Sequence, residues 1–189
     1  MTDYFALLGQ GRSPWLDPEE LKQAFHARSL LGHPDVQSED HDARKAEGAF
    51  AELNEAYQVL RDPKRRLHHL LTLEGSAVNA QAAAIPADLE ALFPKIAELT
   101  QTADALAQRL AATANNLVRT LARPELTQTK VRLEKTLATL TQLHDSALTE
   151  LKATRETWSA DDVRNLYFRF SYLTRWMTQL KEKQLQLNV

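Results

Sequence analysis

The chain has 189 residues, 43% of them apolar and 25% charged, and a net charge of −2, a profile that fits one or two small globular domains. So balanced a charge gives no electrostatic case for nucleic acid or an anionic membrane as partner. The absence of cysteine excludes disulfides, thiolate zinc sites and an iron–sulfur cluster held on the chain's own thiolates.

No run of 18 apolar residues marks a membrane span. The start, Asp3-Tyr4-Phe5, lacks the basic-then-apolar pattern of a signal peptide. The expectation is a cytoplasmic protein without metal or cofactor. Helix formers dominate and no window alternates β-branched residues with period two, so the fold class is all-α.

In chain order, Tyr4, Phe5, Leu7 and Leu8 predict a short helix that Gly9 and Gly11 end. Asp17-Pro18-Glu19-Glu20 then predicts a capped helix start, with Leu16 and Leu21 at the spacing of a hydrophobic staple. This second helix buries Leu21, Ala24, Phe25 and Leu31 and stops at Gly32. Its outer face offers Lys22, His26 and Arg28. His33-Pro34-Asp35 opens a polar loop lasting to about Asp42, since proline pushes the preceding residue out of the helical region.

A third helix carries Phe50, Leu53, Tyr57 and Leu60 as its apolar stripe. Asp62-Pro63 caps a fourth, which runs to Gly75. Lys64-Arg65-Arg66 reads as a solvated helix start or a packing feature. His68 and His69 do not share a helix face, so they make no metal pair. Residues 76–86 are small and nearly uncharged, the pattern of a linker between a domain over 1–75 and another over 87–189.

Beyond the linker, Leu89, Leu92, Ile96, Leu99, Ala103, Leu106, Leu110, Thr113, Leu117 and Leu121 follow helical spacing, with Pro94 either a kink or the true start. Arg123-Pro124 predicts a break. Leu126, Leu133, Leu137, Leu140, His144, Ala147 and Leu151 form a second stripe, with His144 as a partnered core histidine. After Trp158-Ser159, where Ser159 and Asp162 suggest a capping box, Val163, Leu166, Phe170, Leu173, Met177 and Leu180 form a third. Three stripes and two turns predict an antiparallel three-helix bundle.

Asp-Tyr-Phe-Ala-Leu-Leu-Gly at the start, His33-Pro34-Asp35 after a capped helix, and Asn54-Glu55-Ala56-Tyr57 through Leu60-Arg61-Asp62-Pro63 together resemble a J domain. The resemblance implies that the chain docks on an Hsp70 chaperone, through Lys22, His26 and Arg28 and the His33-Pro34-Asp35 loop. It would trigger ATP hydrolysis there and would not be an enzyme itself. Arg28, Gly32 and Val36 depart from the usual J-domain pattern.

The ending Leu70-Leu71-Thr72-Leu73-Glu74-Gly75, with Glu156-Thr157-Trp158, Val163 to Phe168 and Gln179 to Lys183, is similar to the HscB/Hsc20 family of iron–sulfur co-chaperones. That resemblance implies an HscA-like Hsp70 and an IscU-like cluster scaffold as partners. It places the scaffold contact at Leu92, Phe93, Ile96 and Phe168. Phe93 and Phe168 also lie off the core stripes, which independently leaves them apolar surface to bury elsewhere. Tyr172 and Trp176 continue the row of Phe168 and are expected to pack inside the protein. Two other readings stand beside this one: a J protein with a different client, and a structural helical adaptor with a degenerate J domain.

Overall fold

The computed structural model describes residues 1–31, 40–76, 85–112 and 115–188, and among them every regular element is a helix. The chain divides into two compact units, Met1–Ala82 with Leu148–Tyr167, and Ala83–Ala147 with Phe168–Val189. The expected linker at 76–86 lies mostly outside the described residues, as do Gly32 to Glu39 and Thr113.

In the first unit, α1 (Tyr4–Leu7) starts where the Asp3 carboxylate accepts from the backbone N–H of Phe5 and Ala6, at 3.0 and 3.2 Å. It ends at Gly9, whose φ of 65° is left-handed and suits a residue without Cβ. Asp17 caps α2 (Pro18–Leu31) by accepting from Glu19 and Glu20. Asp62 caps α4 (Pro63–Leu73) by accepting from Arg65 N–H at 2.8 Å. These caps hold orphan N–H groups of each first turn.

Phe25 of α2 stacks on Tyr57 of α3 (Asp40–Arg61) with centroids 4.5 Å apart. Phe5, Leu8, Leu21, Leu60, Leu67, Leu70 and Leu71 fill the core. Phe50, expected on the buried stripe, is 44% exposed. The Phe25–Tyr57 pair sets an antiparallel register in which Phe50 lies beyond the described span of α2, Pro18–Leu31.

Arg66 is not solvated: only 3% of it is exposed. Its Nε donates to the carbonyl of Pro14 at 2.8 Å and its Nη1 to that of Leu60 at 2.6 Å. Leu60 lies in the last turn of α3, where carbonyls lack intrahelical partners.

The same unit takes in the end of α7 (Asn116–Ala153) and the start of α8 (Ala160–Gln186). Leu151, Val163 and Leu166 are buried. Ser13 Oγ donates to the Arg155 carbonyl at 3.4 Å, Lys152 Nζ sits 5.8 Å from the Trp15 ring centre, and His68 meets Tyr167 at 5.6 Å. The capping box opening α8 is complete: Ser159 N–H donates to Asp162 Oδ2 and Asp162 N–H donates to Ser159 Oγ, each at 3.1 Å.

The second unit contains α5 (Ala87–Glu90), α6 (Phe93–Ala111) and the remainder of α7 and α8. Pro94 marks the start of α6, in its first turn, where a missing N–H costs nothing. Ion pairs fix the helix directions. Glu98–Arg132 at 2.8 Å and Arg109–Glu125 run α6 against α7. Asp88 of α5 pairs with Arg169 at 3.1 Å and Asp104 of α6 with Lys183 at 2.6 Å, so α5 and α6 run alongside α8 in the same direction. The result is an antiparallel three-helix bundle over a core that includes Leu99, Leu106, Leu133, Leu140, Leu173 and Leu180. His144 is half-buried with its ring edge against Phe170 at 5.3 Å.

One expected break is in the wrong place. The chain turns between α6 and α7 at 112–115, and Pro124 sits inside α7. Asn115 Oδ1 accepts from Leu117 N–H at 2.9 Å, so an asparagine cap starts the helix ahead of the proline. Pro124 and Thr120, the residue whose carbonyl loses its partner, are both exposed, and water can satisfy that carbonyl. Leu117 and Leu121, expected in the core, are 65% and 72% exposed as a consequence.

Candidate functional site

The first candidate surface is on α2. Lys22 and His26 are exposed and four residues apart, so they share one helix face. Arg28 is also exposed but lies about a third of a turn round from Lys22 and nearly half a turn from His26. Its guanidinium rests on the turn after α1, where a Cβ at Gly9 would stand 2.5 Å from Arg28 Nη2. Gly9 is required for its φ, while a Cβ there would meet only the movable end of the Arg28 side chain. The structure brings Lys22 and His26 together and turns Arg28 toward α1. His33, Pro34 and Asp35 lie outside the described residues.

Two ionisable groups tie α1 to this unit. His69, in α4, is 6% exposed and lies flat against Tyr4 and Phe5, with ring centroids 4.5 and 5.8 Å away. Its Nε2 accepts from Tyr4 N–H at 3.1 Å, serving an orphan donor of α1. Burial lowers the imidazole's pKa, with His68 and Arg12 adding to the effect and Asp3 opposing it. Asp3 itself stays below its ordinary value: desolvation raises it, but Arg12 and the N–H groups of Ala6 and Phe5 outweigh that.

A folded pKa below the unfolded one means that the unfolded chain takes up the His69 proton first. Stability is therefore full above about pH 6.5 and declines as pH falls through that value toward the folded pKa. Asp3 adds its loss only below the carboxylate range. Urea midpoints measured from pH 7.5 to 5 are expected to fall for the native chain and to stay nearly flat for His69→Gln. An equal slope in both proteins would remove His69 as the cause.

The second candidate surface is at the start of α6. Phe93 is 47% exposed, with its ring 6.5 Å from that of Trp176. Leu92 and Phe168 are half-buried. Ile96, expected on the surface, is 2% exposed and belongs to the bundle core, because it repeats with Leu99 and Ala103 on the inward face of α6. Trp176 is also core, at 3% exposed, with Tyr172 packed against it at 5.6 Å and Arg175 over the Tyr172 ring at 5.3 Å. The patch is therefore Phe93 over a Trp176 base, edged by Leu92. Asp104, farther along α6, is engaged with Lys183.

Two features escaped the sequence reading. Arg66 and His69 are tertiary fasteners, and nothing in a basic or paired-histidine run distinguishes a buried member from an exposed one. The turn at Asn115 had a local signal, an asparagine ahead of a leucine run, but the proline downstream outranked it.

Among the described residues no helix is long and apolar enough to cross a membrane, and no group of three or more His, Asp or Glu side chains could hold a metal ion.

The DnaJ domain family matches residues 3–69. Over 65 residues the chain is 44% identical to the chaperone protein DnaJ of Rhizobium rhizogenes, which covers 34% of this chain and 16% of that protein. It is 42% identical over 66 residues to DnaJ of Campylobacter hominis, covering 35% and 17%. The chain thus spans about a sixth of these relatives. Among solved structures, chaperone HscB from Vibrio cholerae superposes with a TM-score of 0.52 at 24% identity, over 98% of this chain and 99% of that one. Human co-chaperone HscB superposes with a TM-score of 0.56 at 18% identity, over 98% and 83%. Residues 3–69 are a DnaJ domain, and the whole chain has the fold of the HscB-type J-domain co-chaperones.

Proposed function

We propose that this chain stimulates the ATPase of an HscA-like Hsp70 and delivers an IscU-like iron–sulfur scaffold protein to it. The carrying observation is the coincidence of a DnaJ-domain match over residues 3–69 with an HscB fold over 98% of the chain. Hydrolysis would be the Hsp70's chemistry, and this chain would act as its activator. In this reading Lys22 steers the Hsp70 onto α2, as an exposed cation raises encounter rates, and His26 shares its face. His33, Pro34 and Asp35 trigger the hydrolysis, and Arg28 supports the edge of the surface from its place on α1.

The scaffold takes the patch of Leu92, Phe93 and Phe168. An aromatic over a rigid tryptophan base is pre-ordered, so little entropy is lost on binding. The test is steady-state ATPase of the Hsp70 with this chain, with and without scaffold. Stimulation is expected from the chain alone, and more with scaffold present. No stimulation in either case would refute the reading.

For the patch, Phe93→Ala/Phe168→Ala is expected to weaken scaffold binding about tenfold or more, the usual cost of losing aromatic anchors. Calorimetric titration checks it. Unchanged affinity would move the client to another surface.

A further inference from the structure

In the second unit the last turns of α6, the first turns of α7 and the end of α8 border a groove of ≈ 610 Å³. That is within the range of about 300–1,000 Å³ typical of small-molecule sites. Its floor is apolar, with Leu110 and Leu126 half-buried and Leu187 2% exposed. One wall carries Arg119 and Arg123. Four residues apart on α7, they reach the same side of the helix.

The carboxylates close by are already engaged: Asp104 on the opposite wall binds Lys183, and Glu125 binds Arg109. Arg123 makes no ion pair or hydrogen bond among the described residues. A leucine floor beside guanidinium groups complements a hydrocarbon that ends in a carboxylate, which arginine holds through paired N–H donors.

We propose that this groove binds a medium-chain fatty acid. Its hydrocarbon lies on Leu110, Leu126 and Leu187, and its carboxylate lies against Arg123. The site is independent of the Phe93 patch. The two occupy opposite ends of α6, and Phe93 and Leu110 are roughly 25 Å apart along the helix.

The test is calorimetric titration of the full chain with sodium decanoate below its micellar concentration. Decanol, acetate and a short peptide with a C-terminal leucine serve as comparisons. Decanoate is expected to saturate a single site. Decanol lacks the charge and acetate the chain, so both should bind at least about tenfold more weakly. Arg123→Gln, an exposed substitution, should weaken decanoate about tenfold, and Phe93→Ala should leave it unchanged. Equal affinity for decanol and decanoate would show apolar partition and overturn the proposal. So would an unaffected Arg123→Gln, a loss on Phe93→Ala, or preference for the peptide.

Discussion

Replacing Arg66 with alanine is expected to lower the stability of the first unit by about 2–4 kcal/mol. Two effects oppose each other. Burial makes the guanidinium expensive, pushing its pKa down to about 10 against the pull of Asp62, and removing it recovers part of that cost. Against this, the carbonyls of Pro14 and Leu60 lose their donors. A buried acceptor left alone costs about 1–3 kcal/mol, and the side chain leaves a cavity besides.

The second effect wins because two acceptors and a volume are lost for one recovered desolvation. Arg66→Met should refill the volume and regain only part of the stability. Arg66→Lys should also fall short, since an ammonium cannot span two acceptors in the fixed fork of a guanidinium. Urea unfolding gives the midpoint shift, and hydrogen exchange should place it in α3 and α4. An unchanged midpoint for Arg66→Ala would mean that the buried charge brings no net gain.

His33→Gln is expected to reduce Hsp70 ATPase stimulation to the basal rate while leaving scaffold affinity and urea stability unchanged. Glutamine keeps a polar side chain of similar reach but has no imidazole. The residue follows α2, on which the exposed Lys22 and His26 form the proposed docking face. The proposed client patch belongs to the other compact unit, so the two functions should separate under this substitution. Stimulation equal to that of the native chain would remove the tripeptide from the mechanism. A simultaneous loss of scaffold binding would show a general structural defect instead.

How much could be read from the sequence follows from how far each determinant reaches. Asp17, Asp62 and the Ser159–Asp162 pair act on N–H groups two or three residues away, so those helix starts were legible. Tyr172 and Trp176 turned inward as expected, because a second aromatic row on α8 needs a partner. Ile96 sits on the core stripe that its spacing predicts, and only the family resemblance placed it on the client surface; Phe50 fails for a different reason. Whether a residue on an apolar stripe is covered depends on where the facing helix ends and which way it is rotated. Local spacing is silent on both. Pro124 shows a contest between local signals, in which an asparagine cap upstream and a solvent-facing carbonyl let the helix run through it. Arg66 and His69 depend on partners 52 and 65 positions away, a range that no motif in one sequence encodes.

The allocation of Leu148–Tyr167 to the first unit bears on how the protein is made. The hairpin of α2 and α3 joins segments near in sequence and can close early. Ser13 and Arg155, however, meet across 142 positions, and the buried Leu151, Val163 and Leu166 belong to the same unit. On the ribosome, then, residues 1–82 emerge well before 148–167 and cannot finish their unit until those have been synthesised. The second unit's residues 83–147 must leave the ribosome in between. The J-domain sequence is made before residues 83–147, but its unit is completed only after them, when 148–167 have been added.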